Sequence, residues 1–203
     1  IPLNGREAVG IPRVAIQGAS AYLKIADGCS RSCAFCAIPL IKGAAVSRPV
    51  ENILADARSL AERGIQEIVL IAQDTTAYGE DLGMEDGLTG LLDQLVAAIP
   101  QVPWIRLMYG FPGPAIERLA RTMAAHQPPI LPYLDIPLQH APPDVLKRMR
   151  RPWDMVRTRR LISALREWVP DIAIRTTFIT GSPGETNAEF QALLDFVAEM
   201  AFD

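Results

Sequence analysis

The sequence predicts an α/β fold, an open partial barrel with parallel strands inside and helices outside. Strand-like apolar runs alternate with amphipathic helical stretches five times along the 203 residues. Such alternation favours a parallel sheet with right-handed crossovers. The run EIVLIAQ is almost wholly apolar, as in strands covered on both faces. A complete eight-stranded barrel needs three more units than the chain supplies. A dinucleotide-binding fold needs a glycine fingerprint directly after the first strand, where Asp27-Gly28-Cys29 stands instead.

Tyr22–Ala26 reads as the first strand, and a helix is predicted from about Val50 to Arg63, with Ile53, Leu54, Ala57, Leu60 and Ala61 in i, i+3, i+4 rhythm. Pro49 suits its start and Gly64 its stop. Glu67–Gln73 is the second strand, followed by a helix carrying Leu88, Leu91, Leu92, Leu95, Val96 and Ile99. Trp104–Tyr109 is the third strand and Pro114–Ala125 a helix opened by proline. Tyr133–Leu138 is the fourth, with Pro137 ending or distorting it. A helical region from Pro143 to Trp168, broken near Pro152, leads to the fifth strand, Ala173–Thr180. The final helix opens with a capping box, Thr186 to Glu189, and presents Phe190, Leu193, Leu194, Val197 and Met200 on one face.

Composition is that of a globular domain: 49% hydrophobic, 21% charged and a net charge of −3. There is no run of like charges to suggest a nucleic-acid or membrane surface. No apolar stretch reaches the roughly 18 residues of a membrane span, and no signal-peptide pattern opens the chain. The three cysteines fall within eight positions, an odd count that makes a disulfide framework a poor reading and a reducing cytoplasm the expected setting.

Those cysteines, Cys29, Cys33 and Cys36, form a C-x3-C-x2-C pattern in ADGCSRSCAFCAIP, at the carboxyl end of the first strand. That end of an α/β barrel is where active sites are built. Thiolates are soft ligands that select iron–sulfur clusters, zinc or copper. A structural zinc site takes four protein ligands, and neither His126 nor His140 lies near the loop. Three cysteines on a four-iron cluster leave one iron without a protein ligand. A zinc knuckle and a redox-active thiol cluster are the alternatives.

The loop, with Phe35 just before its third cysteine, resembles the signature of the radical S-adenosylmethionine (SAM) superfamily. VSRP (46–49), AQDTTAYG (72–79), LPYLDIPLQHA (131–141) and TFITGSPGET (177–186) resemble segments of its methylthiotransferase family. They are closer to the branch that modifies ribosomal protein S twelve than to the tRNA-modifying branch, and the likeness runs over nearly the whole chain from Tyr22. It implies a six-unit partial barrel, of which about five units are present, and a [4Fe–4S] cluster on the three cysteines whose open iron chelates SAM. The expected reaction cleaves SAM reductively, removes hydrogen from an aspartate side chain, inserts sulfur and methylates it from a second SAM.

The resemblance also suggests SAM contacts, each with a plainer alternative. Phe35 is a wall near cluster or adenine, or a core aromatic. Gln73 stands where the superfamily often has a GGE-like segment; Asp74 could serve instead, or simply cap a turn. Gln139 suits the SAM ribose or a surface amide, and His140 beside it is a catalytic candidate whose plainer reading is a hydrogen-bonded structural histidine. Arg175 lies within an apolar strand, so a carboxylate partner is expected, either of SAM or of an internal acid. Gly181 and Glu185 belong to a turn, GSPGE, that suits adenine, or that needs a positive φ at Gly184; the family more often has phenylalanine where Ser182 stands. Lys42 and Arg48 face substrate, a second cluster or solvent.

Residues 1–21 read as a linker from an upstream domain with three more cysteines and a second [4Fe–4S] cluster. Residues 22–203 read as the core, cut before its last unit and before a downstream RNA-binding-like barrel. The expected partners are ribosomal protein S twelve or the small ribosomal subunit and an electron donor such as flavodoxin or ferredoxin, with no membrane and a monomeric state.

Overall fold

The computed structural model describes residues 14–151 and 155–203. Most of the expected linker, residues 1–13, and the break expected at Pro152 lie outside them. A four-stranded sheet runs in the order β1 (Val14–Gln17), β2 (Ser20–Lys24), β5 (Glu67–Ile71), β6 (Trp104–Leu107). β2, β5 and β6 are parallel, as the alternation predicts. The arc continues through a parallel bridge between Ile105 and Ile130 to a second parallel pair, β7 (Tyr133–Asp135) and β8 (Ala173–Arg175).

Three features depart from the sequence reading. β1 falls within the stretch read as linker and adds an antiparallel edge to β2. The two strands are joined across Gly18-Ala19, with Gly18 at φ +62°, the short connection that only antiparallel strands allow. The first strand also ends earlier than expected: Ala26–Asp27 is a separate short strand, β3, paired antiparallel with β4 (Val46–Ser47). The fourth and fifth strands are shorter than predicted. Pro137 has no N–H to give, and beyond it the ladder between the two segments is reduced to an isolated bridge at Gln139 and Phe178.

Helices cover the outer face in chain order. α2 (Val50–Glu62) packs on α3 (Gly87–Ala98), α3 on α4 (Pro114–Ala125), and α4 on α6 (Met155–Trp168). Ala21 and Leu23 of β2, Ile68 and Leu70 of β5 and Ile105 and Leu107 of β6 are buried against this layer, joined by Ile53, Leu91, Leu95, Leu119 and Leu165. α5 (Pro143–Arg148) is a short helix before α6. α7 (Asn187–Met200) carries the expected capping box, and its Phe196 packs with Phe178 and Phe202 at centroid distances of 5.9–6.4 Å. The side chain of Asp203 accepts the Ile174 N–H on the free edge of β8 at 2.8 Å.

The opposite face of the strands carries a polar network. Glu67 accepts from Ser20 Oγ and Arg106 Nε, both at 2.7 Å, and the Arg106 guanidinium lies over the Tyr133 ring. Burial pushes the Glu67 carboxyl up, but the Ser20 and Arg106 bonds outweigh it and hold the group below its usual range. A carboxyl depressed by folding adds stability above its unfolded pKa and loses it as pH falls through the folded value. Glu67→Gln should therefore cost about 0.5–1.5 kcal/mol at neutral pH. In thermal unfolding the gap between the two proteins should stay constant down to about pH 5 and close below about pH 4; a gap unchanged at acid pH would contradict this.

Candidate active site

The chain leaves the sheet after β2 and turns at Gly28 (φ +76°), where any Cβ would collide with the carbonyl of Ala44. The loop that follows is pinned on three sides. Cys29 N–H donates to Gly43 O at 3.1 Å, Ala34 N–H to Met149 O just past α5 at 3.0 Å, and Arg31 Nε to Asp74 after β5 at 2.8 Å. Lys42, in the short helix α1 (Ile38–Lys42), reaches back to Asp27 at 2.6 Å. Burial pushes the Asp27 carboxyl up, and Lys42 and Lys24 more than reverse it, leaving the group below its usual range. Lys42 and Arg48 are thus structural: Arg48 donates to Lys24 O and pairs with Asp56, each at 2.7 Å.

Cys29, Cys33 and Cys36 are free thiols on the wall of one cavity of about 140 Å³ at the carboxyl ends of the strands. Burial pushes the Cys29 thiol up, against the Arg31 backbone N–H, which pulls it down. Among the described residues no three His, Cys, Asp or Glu side chains close on a point where a single metal ion would sit. A four-iron cluster asks something different: each thiolate takes a separate iron, so the sulfurs stand apart around one space. The donor set and its placement fit that group.

Phe35, Gln73 and Gln139 line the same cavity, as does Asp74. Gln73 Oε1 is buried with no hydrogen-bond partner among the described residues, an acceptor turned to a site that can supply a donor. Phe35 is 43% exposed, so it is not a core aromatic; it is also a wall of a second cavity of about 300 Å³ lined by Met149, Ser182 and Pro183. Gln139 sits at φ +75°, its backbone bonded to Thr177 and Ile179.

The remaining sequence candidates lie off the cysteine cavity. Arg175 is not buried as its apolar strand suggested. Its side chain is 51% exposed and pairs with Asp135 at 3.3 Å, the internal-acid alternative. The buried member of that pair is Asp135, neither of whose carboxylate oxygens makes a hydrogen bond of good geometry among the described residues. Gly181 is exposed, and both it and Gly184 take positive φ. Glu185 accepts from Ser182 N–H at 2.9 Å and from the buried His140 Nε2 at 3.3 Å. Burial raises its carboxyl, and these two bonds lower it below its usual range. His140 is the hydrogen-bonded structural histidine that its position suggests.

Among the cavity-wall residues that the sequence does not single out are Arg31, Phe111 and Arg151. The guanidinium carbons of Arg31 and Arg151 lie 4.3 and 4.1 Å from the Phe111 ring centroid. No spacing rule marks them, because they come from three separate connections.

A family profile for the radical SAM superfamily matches residues 23–197. The chain belongs to the radical SAM superfamily. Its radical SAM core is 58% identical to the ribosomal protein uS12 methylthiotransferase RimO of Roseiflexus castenholzii, over 92% of this chain and 38% of that protein. It is 48% identical to the RimO of Sorangium cellulosum, over 96% of this chain and 41% of the relative. The chain thus spans about two fifths of the curated relatives it matches. Among solved structures it superposes on the radical SAM methyltransferase TsrM of Kitasatospora setae, with tryptophan and a SAM analogue bound, at a TM-score of 0.72 and 21% identity, covering 96% of this chain and 38% of TsrM. The cobalamin-dependent radical SAM enzyme OxsB superposes at 0.68, with 14% identity, over 87% of this chain and 26% of OxsB. The chain thus has the radical SAM fold.

Asp74 is the residue that ties the cysteine loop to the second connection. Its side chain, 4% exposed, accepts from Arg31 Nε, Thr76 N–H and Thr76 Oγ1. Asp74→Ala leaves these donors unmatched and should cost about 1.5–3 kcal/mol in urea unfolding; a loss under about 0.5 kcal/mol would show that the bonds carry no net stability.

Proposed function

We propose that this chain is the radical SAM core of an enzyme that adds a methylthio group to an aspartate side chain of ribosomal protein uS12. The observation that carries the reading is the meeting of three free thiols with the unpartnered Gln73 oxygen on one cavity at the strand ends. The identity of 58% to a RimO protein, far above the level at which fold alone is shared, supports the substrate class.

The residues divide the work. Cys29, Cys33 and Cys36 would hold the cluster through their thiolates and leave one iron to SAM. With SAM bound, a reduced cluster of this kind supplies the means to take a hydrogen atom from an unactivated carbon. Gln73 Oε1 would accept from the SAM amino group, Gln139 would reach its ribose, and Phe35 would screen the reacting centre from water. Gly181 and Glu185 would shape the turn beside adenine, with Glu185 fixed by His140. Arg175, tethered to Asp135, would face SAM or substrate from the polar side of the strands. Sulfur insertion is assigned to a second [4Fe–4S] cluster in a preceding domain, and reduction to a flavodoxin- or ferredoxin-type donor. The setting proposed is the cytoplasm, with a monomeric enzyme. Among the described residues no helix is long and apolar enough to cross a membrane.

Anaerobic reconstitution should give about four irons per chain on these cysteines and dithionite-dependent cleavage of SAM. Replacing all three cysteines with alanine should abolish both. In cells lacking the gene, mass spectrometry of uS12 should show loss of the methylthio group while tRNA nucleosides are unchanged. Loss from tRNA instead would move the assignment to the other branch of the family, and one bound zinc without sulfide would overturn it.

A further inference from the structure

Arg151 is 6% exposed and held at three points on the cavity wall. Its Nη2 donates to Pro137 O at 2.6 Å, its Nη1 lies 3.6 Å from Cys33 Sγ, and its guanidinium carbon stands 4.1 Å from the Phe111 centroid. Its backbone is fixed as well, with its N–H on Leu146 O at 2.8 Å, two residues from the Met149 carbonyl that pins the cysteine loop through Ala34. The guanidinium therefore cannot swing away from the sulfur without breaking packing.

Among the described residues no carboxylate pairs with Arg151, and a carbonyl, a ring and a protonated thiol carry no full negative charge, yet burying a cation calls for an anionic partner. A metal-bound thiolate at Cys33 is such a partner. Arg31 shares the same ring, but its charge is already met by Asp74 at 2.8 Å and approached by Glu80 at 4.0 Å. Arg151 is thus the cation whose field is directed at the cysteine sulfur.

We infer that Arg151 is a positioning residue for the cluster, donating a charge-assisted hydrogen bond to the Cys33 thiolate and raising the cluster's reduction potential. The inference rests on the reading of Cys33 as a cluster ligand. Hydrogen bonds to ligating sulfurs and nearby positive charge stabilise the more negative, reduced cluster. The consequence is easier electron uptake before SAM cleavage. A purely structural brace between Pro137 and the loop would leave the potential where it is.

The test is a redox titration of the reconstituted chain without SAM, followed by the electron paramagnetic resonance of the reduced cluster. Arg151→Gln keeps a donor for Pro137 O and removes the charge. With iron and sulfide content unchanged, it should make the reduction equilibrium about tenfold less favourable, a downward shift of about 59 mV for one electron. Arg151→Lys, which keeps the charge, should recover most of that shift. An unchanged potential in Arg151→Gln, or equal shifts in both variants, would overturn the inference. If Arg151→Gln holds no cluster, the wild-type protein grown on guanidino-15N arginine decides: a 15N coupling to the reduced cluster is expected, and its absence would overturn the inference. Wild-type protein that takes up no four-iron cluster would refute the underlying reading, and this inference with it.

Discussion

The close approach of Gly28 to the carbonyl of Ala44 is the constraint on which the site depends. It lets the chain turn off the sheet in one residue and lie against the segment that returns through Gly43 and Ala44. β3 and β4 can then pair across the base of the loop, and Cys29 N–H can reach Gly43 O. A side chain here would meet backbone, which cannot step aside like a flexible side chain, and the positive φ would add strain of its own. Either displacement would move the first thiol away from the cavity it shares with the other two. The cluster loop is thus held by backbone geometry before any metal is considered, while Asp27–Lys42 and Arg31–Asp74 fasten its two sides.

The segments that stand out in the sequence are coupled in pairs in space. VSRP and AQDTTAYG are far apart in the chain, yet Gly79 N–H donates to Ser47 Oγ and the Tyr78 hydroxyl to Arg48 O, both at 2.8 Å. Tyr78 is buried, and that burial pushes its phenol up to about 12, so it remains a donor at any physiological pH. LPYLDIPLQHA and TFITGSPGET meet through Gln139 with Thr177 and Ile179, Thr176 with Ile136 and Leu138, and His140 with Glu185. One pair fixes the cysteine loop against the second connection, the other fixes Gln139 against the final turn. Much of what resembles a functional signature is therefore the joinery that brings cavity residues together.

How much of this was legible in the sequence follows from range. The helix from Pro114 to Ala125 and the capping box at Thr186 depend on neighbours a few residues away, and they stand where the pattern put them. Cys29, Cys33, Cys36, Gln73 and Gln139 were found because they follow strands, and parallel strands deliver their carboxyl ends to one place. The apolar strand around Arg175 calls for a carboxylate partner, and Asp135 is one, but the arginine side chain is half exposed and not buried. The inner face in fact carries Glu67, Arg106, Tyr133 and Asp135, and an open arc leaves room for water beside them. Arg31, Phe111 and Arg151 were invisible because their roles come from three connections converging, which no local period records. β1 was missed because the stretch before Ser20 is short and its pairing is settled by the Gly18 turn.

The central claim is that this cavity holds a four-iron cluster with one iron open to SAM. Electron–nuclear double resonance on the reduced cluster, with SAM labelled with 15N at its amino group, tests it most directly. The account predicts a 15N coupling of a nitrogen bound to iron, absent without SAM and lost when Cys29, Cys33 and Cys36 are replaced. A four-iron cluster on these cysteines that shows no coupling to bound SAM would contradict it.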